Sequence, residues 1–279
     1  MSSTVLVTGA TGPHGRAVAE ALLASGMRVR ALTRDPASDR ARALAALGAE
    51  PVAGDLADAA SLTAALDGAP VVYAVTTPFG AGPDAEVAQG EGIIAAASHA
   101  HVQWLVLGSV ASADQGTGVP HFESKWKIEQ RLAASGIPHS VVAPSFFFEN
   151  LGTPADKIAA GELSMPLSPD RSLQQLAAAD LGALVAAVIQ RRDALLGRRI
   201  EVAAEQLTPT QMAEALSQAG GRPIRYRRTD IDEIAARNAD LAAMYRFLES
   251  TGYQVDIDGL RREFAEVPWT GFSDWVNRS

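Results

Sequence analysis

TVLVTGATGPHG, residues 4–15, is the stretch on which the reading of the fold turns. Val5, Leu6 and Val7 make a short apolar run of the kind that forms a buried strand. Glycines follow at 9, 12 and 15, and an Ala/Leu-rich segment of helical texture runs from Arg16 to Ser25. A strand that turns directly into a helix leaves the first helical amides unpaired and aimed at one spot. Free N–H groups and the positive end of the helix dipole converge there, which suits a phosphate. The glycines then serve a tight turn, a close approach of ligand to backbone, and packing of helix on sheet. The spacing is GxxGxxG, and its position between strand and helix at the start of the chain is what makes it a dinucleotide signal.

Moving outward, residues 1–145 alternate between two textures. Val/Leu-rich runs at 4–8, 28–33, 50–53, 70–75, 102–108 and 137–143 predict strands. Stretches at 16–25, 37–47, 58–66, 84–98 and 120–135 predict helices, with Ser25-Gly26, Gly48 and Asp67-Gly68 as turn punctuation. Alternation of nearly continuous apolar strands with helices predicts an α/β fold: a doubly wound parallel sheet, Rossmann-like, covered on both faces. From residue 146 the rhythm changes. An apolar cluster at Phe146–Phe148 leads into a segment broken by Pro154, Gly161, Pro166 and Pro169. Beyond it, 176–190 reads as a helix and 199–203 as a strand. Thr208-Pro209 then opens a helix that Gly220-Gly221 ends, 224–228 reads as a strand, and 230–251 is mostly helical. Residues 146–279 are expected to form a smaller α/β substrate lobe, not an independent domain, beside a nucleotide-binding domain over 1–145.

Composition narrows the partners. The formal net charge of −8 argues against a nucleic-acid groove or an anionic membrane surface. With no cysteine, disulfides, thiolate metal sites and a Cys nucleophile are excluded. No histidine spacing suggests a metal. The chain runs straight into its first strand, and the longest apolar run, Leu181 to Ile189, is too short to span a bilayer. A cytoplasmic protein acting on a small molecule is expected, with the outer face of helix 84–98 as a possible homodimer surface.

Individual residues carry the chemistry. The second strand ends in Thr33-Arg34-Asp35-Pro36. A carboxylate about 20 residues past the glycines bonds the 2′-OH of NAD, whereas an arginine accommodates the 2′-phosphate of NADP. Arg34 therefore favours NADP(H), while Asp35, one residue on, keeps NAD(H) open. Asp55, in Gly54-Asp55-Leu56 after the third strand, serves either the adenine amino group or the cap of the next helix. Thr76 follows the fourth strand, where backbone at the carboxyl ends lines the ligand crevice. Lys125 is one of only three lysines, against 21 arginines, and shares a helix face with His121, Ile128 and Leu132. Such an inward lysine is expected to be functional. His121 stands either in the site or at the exposed helix start.

These pieces together resemble the NmrA-like branch of the atypical short-chain dehydrogenase/reductases. The matching segments are GATGPHG (9–15), ALTRDP (31–36), GDL (54–56), HFESK (121–125), APSFFFENL (143–151), LTPTQMAEAL (207–216) and GRPIRYR (221–227), so the likeness covers nearly the whole chain. The resemblance implies an NAD(P) site built from Gly9, Thr11, Gly12, Pro13, His14, Gly15, Arg34, Asp55, Leu56 and Thr76. It implies that Lys125 binds the nicotinamide ribose and that the 143–146 backbone, with Pro144 and Phe146, lies beside the nicotinamide. Phe147, Phe148 and Asn150 follow as candidate substrate residues; the phenylalanines stack on a flat acceptor or fill the lobe core. Ser109, at the end of the fifth strand, stands where the wider superfamily has its serine.

One departure matters. Active short-chain dehydrogenases place a tyrosine four residues before the lysine as proton donor. Here that position is His121, and none of the tyrosines, at 73, 226, 245 and 253, precedes a lysine in this way. Three readings follow. The protein is an NADPH-dependent reductase of quinones or similar conjugated carbonyls, whose phenolate product, with a conjugate acid near pKa ~10, needs little help from a positioned acid. Alternatively it reduces an ordinary carbonyl or enone with His121, Lys125 or Ser109 as the acid. In the third reading it is a non-catalytic NADP(H) sensor acting through a protein partner.

Overall fold

The computed structural model describes residues 4–78, 80–151 and 153–278. Its first half winds as expected. Strands β1 (Thr4–Val7), β2 (Arg28–Thr33), β3 (Glu50–Ala53), β4 (Val71–Val75), β5 (Trp104–Gly108) and β6 (His139–Pro144) alternate with helices α1 (Pro13–Ala24), α2 (Asp39–Ala46), α3 (Ala59–Leu66), α4 (Pro83–His99) and α5 (Pro120–Ala134). Helix α1 starts three residues earlier than its texture suggests, because Gly12 is the N-cap and Pro13 supplies the first helical position. Side-chain caps hold the next two helices: Ser38 accepts from Ala41 N and Asp58 from Ala60 and Ser61 N.

The second half continues with β7 (Phe146–Phe147), α6 (Ala155–Ala159), β8 (Glu162–Met165), β9 (Leu173–Leu176), α7 (Ala178–Gln190), α8 (Arg192–Leu195), β10 (Arg199–Val202) and β11 (Glu205–Leu207). It ends with α9 (Pro209–Gly220), β12 (Arg225–Arg228), α10 (Ile231–Ala235), α11 (Ala239–Ser250), α12 (Ile257–Glu263) and α13 (Phe272–Arg278). The reading of 176–190 as one helix is corrected at its start, where Leu176 closes β9. That of 230–251 is broken by a fresh N-cap at Asn238.

Seven strands form one sheet in the order β10-β6-β5-β4-β1-β2-β3, every neighbouring pair parallel. Two apolar cores flank it, one containing Val5, Val7 and Trp104, the other Leu6, Val72 and Leu105, as strand alternation requires. Strand order reverses between β1 and β4, so a crevice opens beyond their carboxyl ends. Thr8 ties the two strands together there: its hydroxyl donates to Val75 O (2.9 Å) and accepts from Val75 N (2.7 Å).

The division at residue 146 is not respected by the sheet. β10 pairs with β6 as the seventh strand, and α7 lies along α1. Only the small sheets β11-β9-β7 and β12-β8, with α9 to α13, stand apart as a lobe. The cause is that 178–202 carries an apolar helix and a strand with alternating burial, which find their cover on the nucleotide-binding half. No helix among the described residues is long and apolar enough to cross a membrane.

The α1–α7 contact is close enough to test. A Cβ on Gly182 would stand 2.4 Å from the Ala17 carbonyl oxygen, a backbone atom that cannot step aside. Gly182→Ala is expected to destabilise the protein by about 1–3 kcal/mol through overpacking. The urea midpoint should fall with the slope unchanged; an unaltered midpoint would show that α7 is free to slide on α1.

Candidate functional site

The glycine loop is built as a cradle. Gly9 has φ +61°, a left-handed conformation open to glycine, and lies against the end of β4, where an added Cβ would sit 2.8 Å from Val75 Cγ1. Gly12 N donates to Gly9 O at 2.9 Å, closing the turn. Gly15 comes so near this turn that a Cβ would be 2.3 Å from Gly9 O. Gly12 caps α1 without a side chain, so the first helical amides face the crevice uncovered. Thr11, Gly12 and Pro13 form the outer part of the loop, while His14 turns inward. The His14 ring stacks on Phe147 with centroids 3.8 Å apart, and its Nε2 is sealed from solvent with no hydrogen-bond partner. Burial, together with the charge of Lys125, lowers its pKa to about 4, so the imidazole is neutral at physiological pH. A Cβ-free cradle and an orphaned polar atom are what a bound dinucleotide phosphate and its neighbours would fill.

Arg34 is exposed at the end of β2, next to the cradle, and makes no ion pair among the described residues. Asp35 is occupied locally, its Oδ1 accepting from Ala37 N at 2.9 Å. Asp55 likewise accepts from Ala57 N at 3.0 Å. The cap of α3 falls to Asp58, which settles that alternative for Asp55. Ser61 staples the loop to α3 by accepting from Asp55 N at 3.0 Å, and Leu56 packs on the core of that face.

Lys125 reaches the crevice from α5. Its Nζ pairs with Glu86 Oε1 at 2.9 Å and donates to Thr76 O at 3.4 Å. Glu86, on α4, is fully buried, and it also accepts from Thr76 Oγ1 (2.9 Å) and Ser124 Oγ. Three donors on one buried carboxylate make it a fixed anchor for the lysine. Glu86 was not singled out in the sequence, although a signal was there. It falls in register with Gly90, Ile93 and Ala97 on the inward face of α4, a carboxylate within an apolar stripe.

The other acid candidates have partners of their own. Ser109 donates its hydroxyl hydrogen bond to Glu129, which Arg199 holds at 2.9 Å in a network with Glu201 and Val110 O. Burial raises the Glu129 pKa while Arg199 draws it back. That serine is therefore committed to a buried charge cluster. His121 pairs through Nδ1 with Asp240 of α11, linking α5 to the lobe. Nothing in the sequence marks Asp240, an ordinary first-turn acid of its helix.

The aromatic run divides. Phe146, following the buried Pro144, faces Tyr245 with ring centroids 6.5 Å apart, and Phe147 lies on His14. Phe148 is corrected to lobe core: it is fully buried against Phe272 and Trp275, at 5.3 and 5.7 Å. Glu149 explains the turn away from the crevice, because its carboxylate accepts from Ala178 N at the start of α7 and from Trp275 Nε1. Asn150 goes with it and ends exposed.

The chain is similar to several known reductases. An NAD(P)H azoreductase of Xenophilus azovorans is 32% identical over 223 residues, covering 80% of this chain and 76% of that protein. A (4-alkanoyl-5-oxo-2,5-dihydrofuran-3-yl)methyl phosphate reductase of Streptomyces griseus is 31% identical over 284 residues, covering 97% and 96%. The crystal structure of an NADPH-dependent quinone oxidoreductase of Escherichia coli, complexed with NADPH, is 25% identical and superposes with a TM-score of 0.83 over 98% of this chain and 99% of that one. The sequence pattern of the NmrA-like family matches residues 1–276, and the chain belongs to that family.

Proposed function

We propose that this protein is an NADPH-dependent reductase that passes hydride to a quinone or another conjugated carbonyl acceptor. The observation that carries the reading is the glycine cradle at the β1/β4 switch point with Lys125 anchored across it by Glu86 and Thr76. The cradle amides suit a pyrophosphate, and Arg34, exposed after β2, suits a 2′-phosphate. Lys125, a cation held in place on the crevice side, suits a ribose hydroxyl. NADPH would supply the hydride; the chain supplies the positions.

The acceptor class follows from what the site lacks. No tyrosine stands four residues before Lys125, Ser109 is bound to Glu129, and His14 is neutral. A site with so little acid on the nicotinamide side suits an acceptor whose reduced form is a stabilised anion. A quinone or conjugated carbonyl answers that description, because its negative charge is delocalised away from the carbon that receives hydride. The relatives named above fit the same chemistry, since azo compounds, quinones and a dihydrofuranone are conjugated acceptors. Positioning donor against acceptor is then the main catalytic contribution. Phe147, laid flat on His14, offers a plane beside that position.

NADPH oxidation followed with a panel of quinones and enones tests the reading. Turnover well above the buffer rate is expected, and Lys125→Ala should lower kcat/KM by about 100-fold, or about 2.7 kcal/mol. Tight NADPH binding with no turnover on any acceptor would overturn the enzyme in favour of a sensor. Glu86→Gln keeps the shape of the anchor but removes its charge, leaving the lysine uncompensated. It should weaken NADPH about tenfold in a fluorescence titration, and undiminished affinity would show that Lys125 holds its place alone. Arg34→Ala should reduce the preference for NADPH over NADH by about tenfold, the scale of one hydrogen bond to a charged group. An unchanged ratio would remove Arg34 from the cofactor site.

A further inference from the structure

The phenol absent from α5 has two counterparts in the lobe. Tyr245 lies on α11, is 5% exposed, and sets its ring 6.5 Å from Phe146. Tyr253 follows α11 and is 6% exposed. Its ring is stacked over Phe122, the neighbour of His121, at 6.2 Å and 20°, and meets Phe247 edge-on at 6.1 Å. Both phenols are thus wedged between the lobe and the two segments that flank the nicotinamide end of the crevice, β7 and the start of α5.

Their hydroxyls are unusual for buried tyrosines, which ordinarily find a partner. Tyr226 does so, with its hydroxyl 2.7 Å from Met165 O and 2.5 Å from Leu167 O. Neither Tyr245 nor Tyr253 has a hydrogen-bond partner for its hydroxyl among the described residues, and neither oxygen is sealed from solvent. Burial pushes the Tyr245 pKa up to about 12 and raises that of Tyr253, to which Tyr245 and Glu201 contribute further. Both groups therefore stay protonated and remain donors at any physiological pH. Because neither hydroxyl is spent on a protein partner and neither is sealed from solvent, both remain available to a ligand.

We propose that Tyr245 and Tyr253 are the hydrogen-bond donors for the acceptor, binding a carbonyl oxygen of the flat conjugated substrate and holding the charge that hydride addition places on it. This rests on the reductase reading above. Hydride transfer moves two electrons and one hydrogen from NADPH to the acceptor, leaving NADP+ and an anionic acceptor oxygen. The phenols keep their own protons throughout. Water supplies the proton that completes the hydroquinone, so that NADPH, quinone and one proton give NADP+ and hydroquinone. Donors fixed in an apolar surround interact more strongly with the developing anion than with the neutral carbonyl, and this difference accelerates the step. The arrangement also assigns the lobe a chemical part beyond covering the crevice.

The test uses full-length protein with Tyr245→Phe and Tyr253→Phe, singly. Binding of 4-nitrophenolate to the protein with NADP+ is read by difference absorbance, and quinone reduction is measured beside it. Each substitution is expected to weaken phenolate binding and lower kcat/KM about tenfold, equal to about 1.4 kcal/mol, with NADPH affinity and thermal midpoint unchanged. If both Phe variants bind the phenolate and reduce the quinone as wild type does, the phenols are lobe packing and the proposal falls. A wild type that binds no phenolate overturns it equally. A wild type that reduces no acceptor, while phenolate binding still depends on the two hydroxyls, would overturn the reductase reading and leave the donor assignment standing.

Discussion

The close approach of Gly15 to the Gly9 carbonyl is the constraint on which the rest of the structure depends. A strand and a helix can meet at such a sharp angle only if no side chain stands between them, and 2.3 Å leaves no room for a Cβ. Because the turn is tight, α1 lies down on the sheet, its uncovered amides face the crevice, and Gly9 is pressed against the end of β4. Thr8 locks the same junction by bonding both ways to Val75. Further out, α7 reaches α1 closely enough that a second glycine, Gly182, is needed at the contact. Part of the chain that begins in the lobe is thereby recruited to brace the cradle.

A second constraint is electrostatic. Lys125 enters the crevice from the inward face of α5 with only 12% of its side chain exposed, and a cation there needs a counter-charge. Glu86 supplies it from a neighbouring helix at full burial, with Thr76 and Ser124 meeting the remaining lone pairs. Because Thr76 belongs to the end of β4, the lysine is referenced directly to the switch point. The Ser109–Glu129–Arg199 cluster is a separate solution to a similar problem, tying β5, α5 and β10 together. It explains why a serine in a suggestive position has no hydroxyl to offer the crevice.

The lobe meets this frame through aromatic contacts and ion pairs, among them His121 with Asp240 and Arg198 with Glu263. His121 with Asp240, Phe146 with Tyr245, and Phe122 with Tyr253 all join α5 or β7 to the segment from α11 onward. The lobe's own core, where Phe148 packs on Phe272 and Trp275, holds its last helix. Three consecutive phenylalanines thus have different neighbours: Phe147 meets the nucleotide-binding half, while Phe146 and Phe148 meet separate helices of the lobe. Strand alternation separates the first two and the turn anchored by Glu149 takes the third away.

Local patterning was enough to read much of this protein. Apolar runs alternating with helical stretches, punctuated by caps and glycines, determined the parallel sheet, since each signal lies within about a dozen residues. The glycine spacing located the cradle, and the rarity of lysine in an arginine-rich chain pointed to Lys125. Arg34 and Asp55 could be placed for the same reason, as both follow recognisable strands. What only tertiary structure decided depends on partners far apart in the chain. Glu86 finds Lys125 across 39 positions, Asp240 finds His121 across 119, and β10 returns to β6 from beyond the expected boundary. Whether Phe148 faces a ligand or a core, and whether Ser109 can donate, are likewise questions of who stands opposite. A sequence states which residues carry a charge, a hydroxyl or a ring, but its periodicity fixes only their own face; the group that meets them is chosen when the helices close on the sheet.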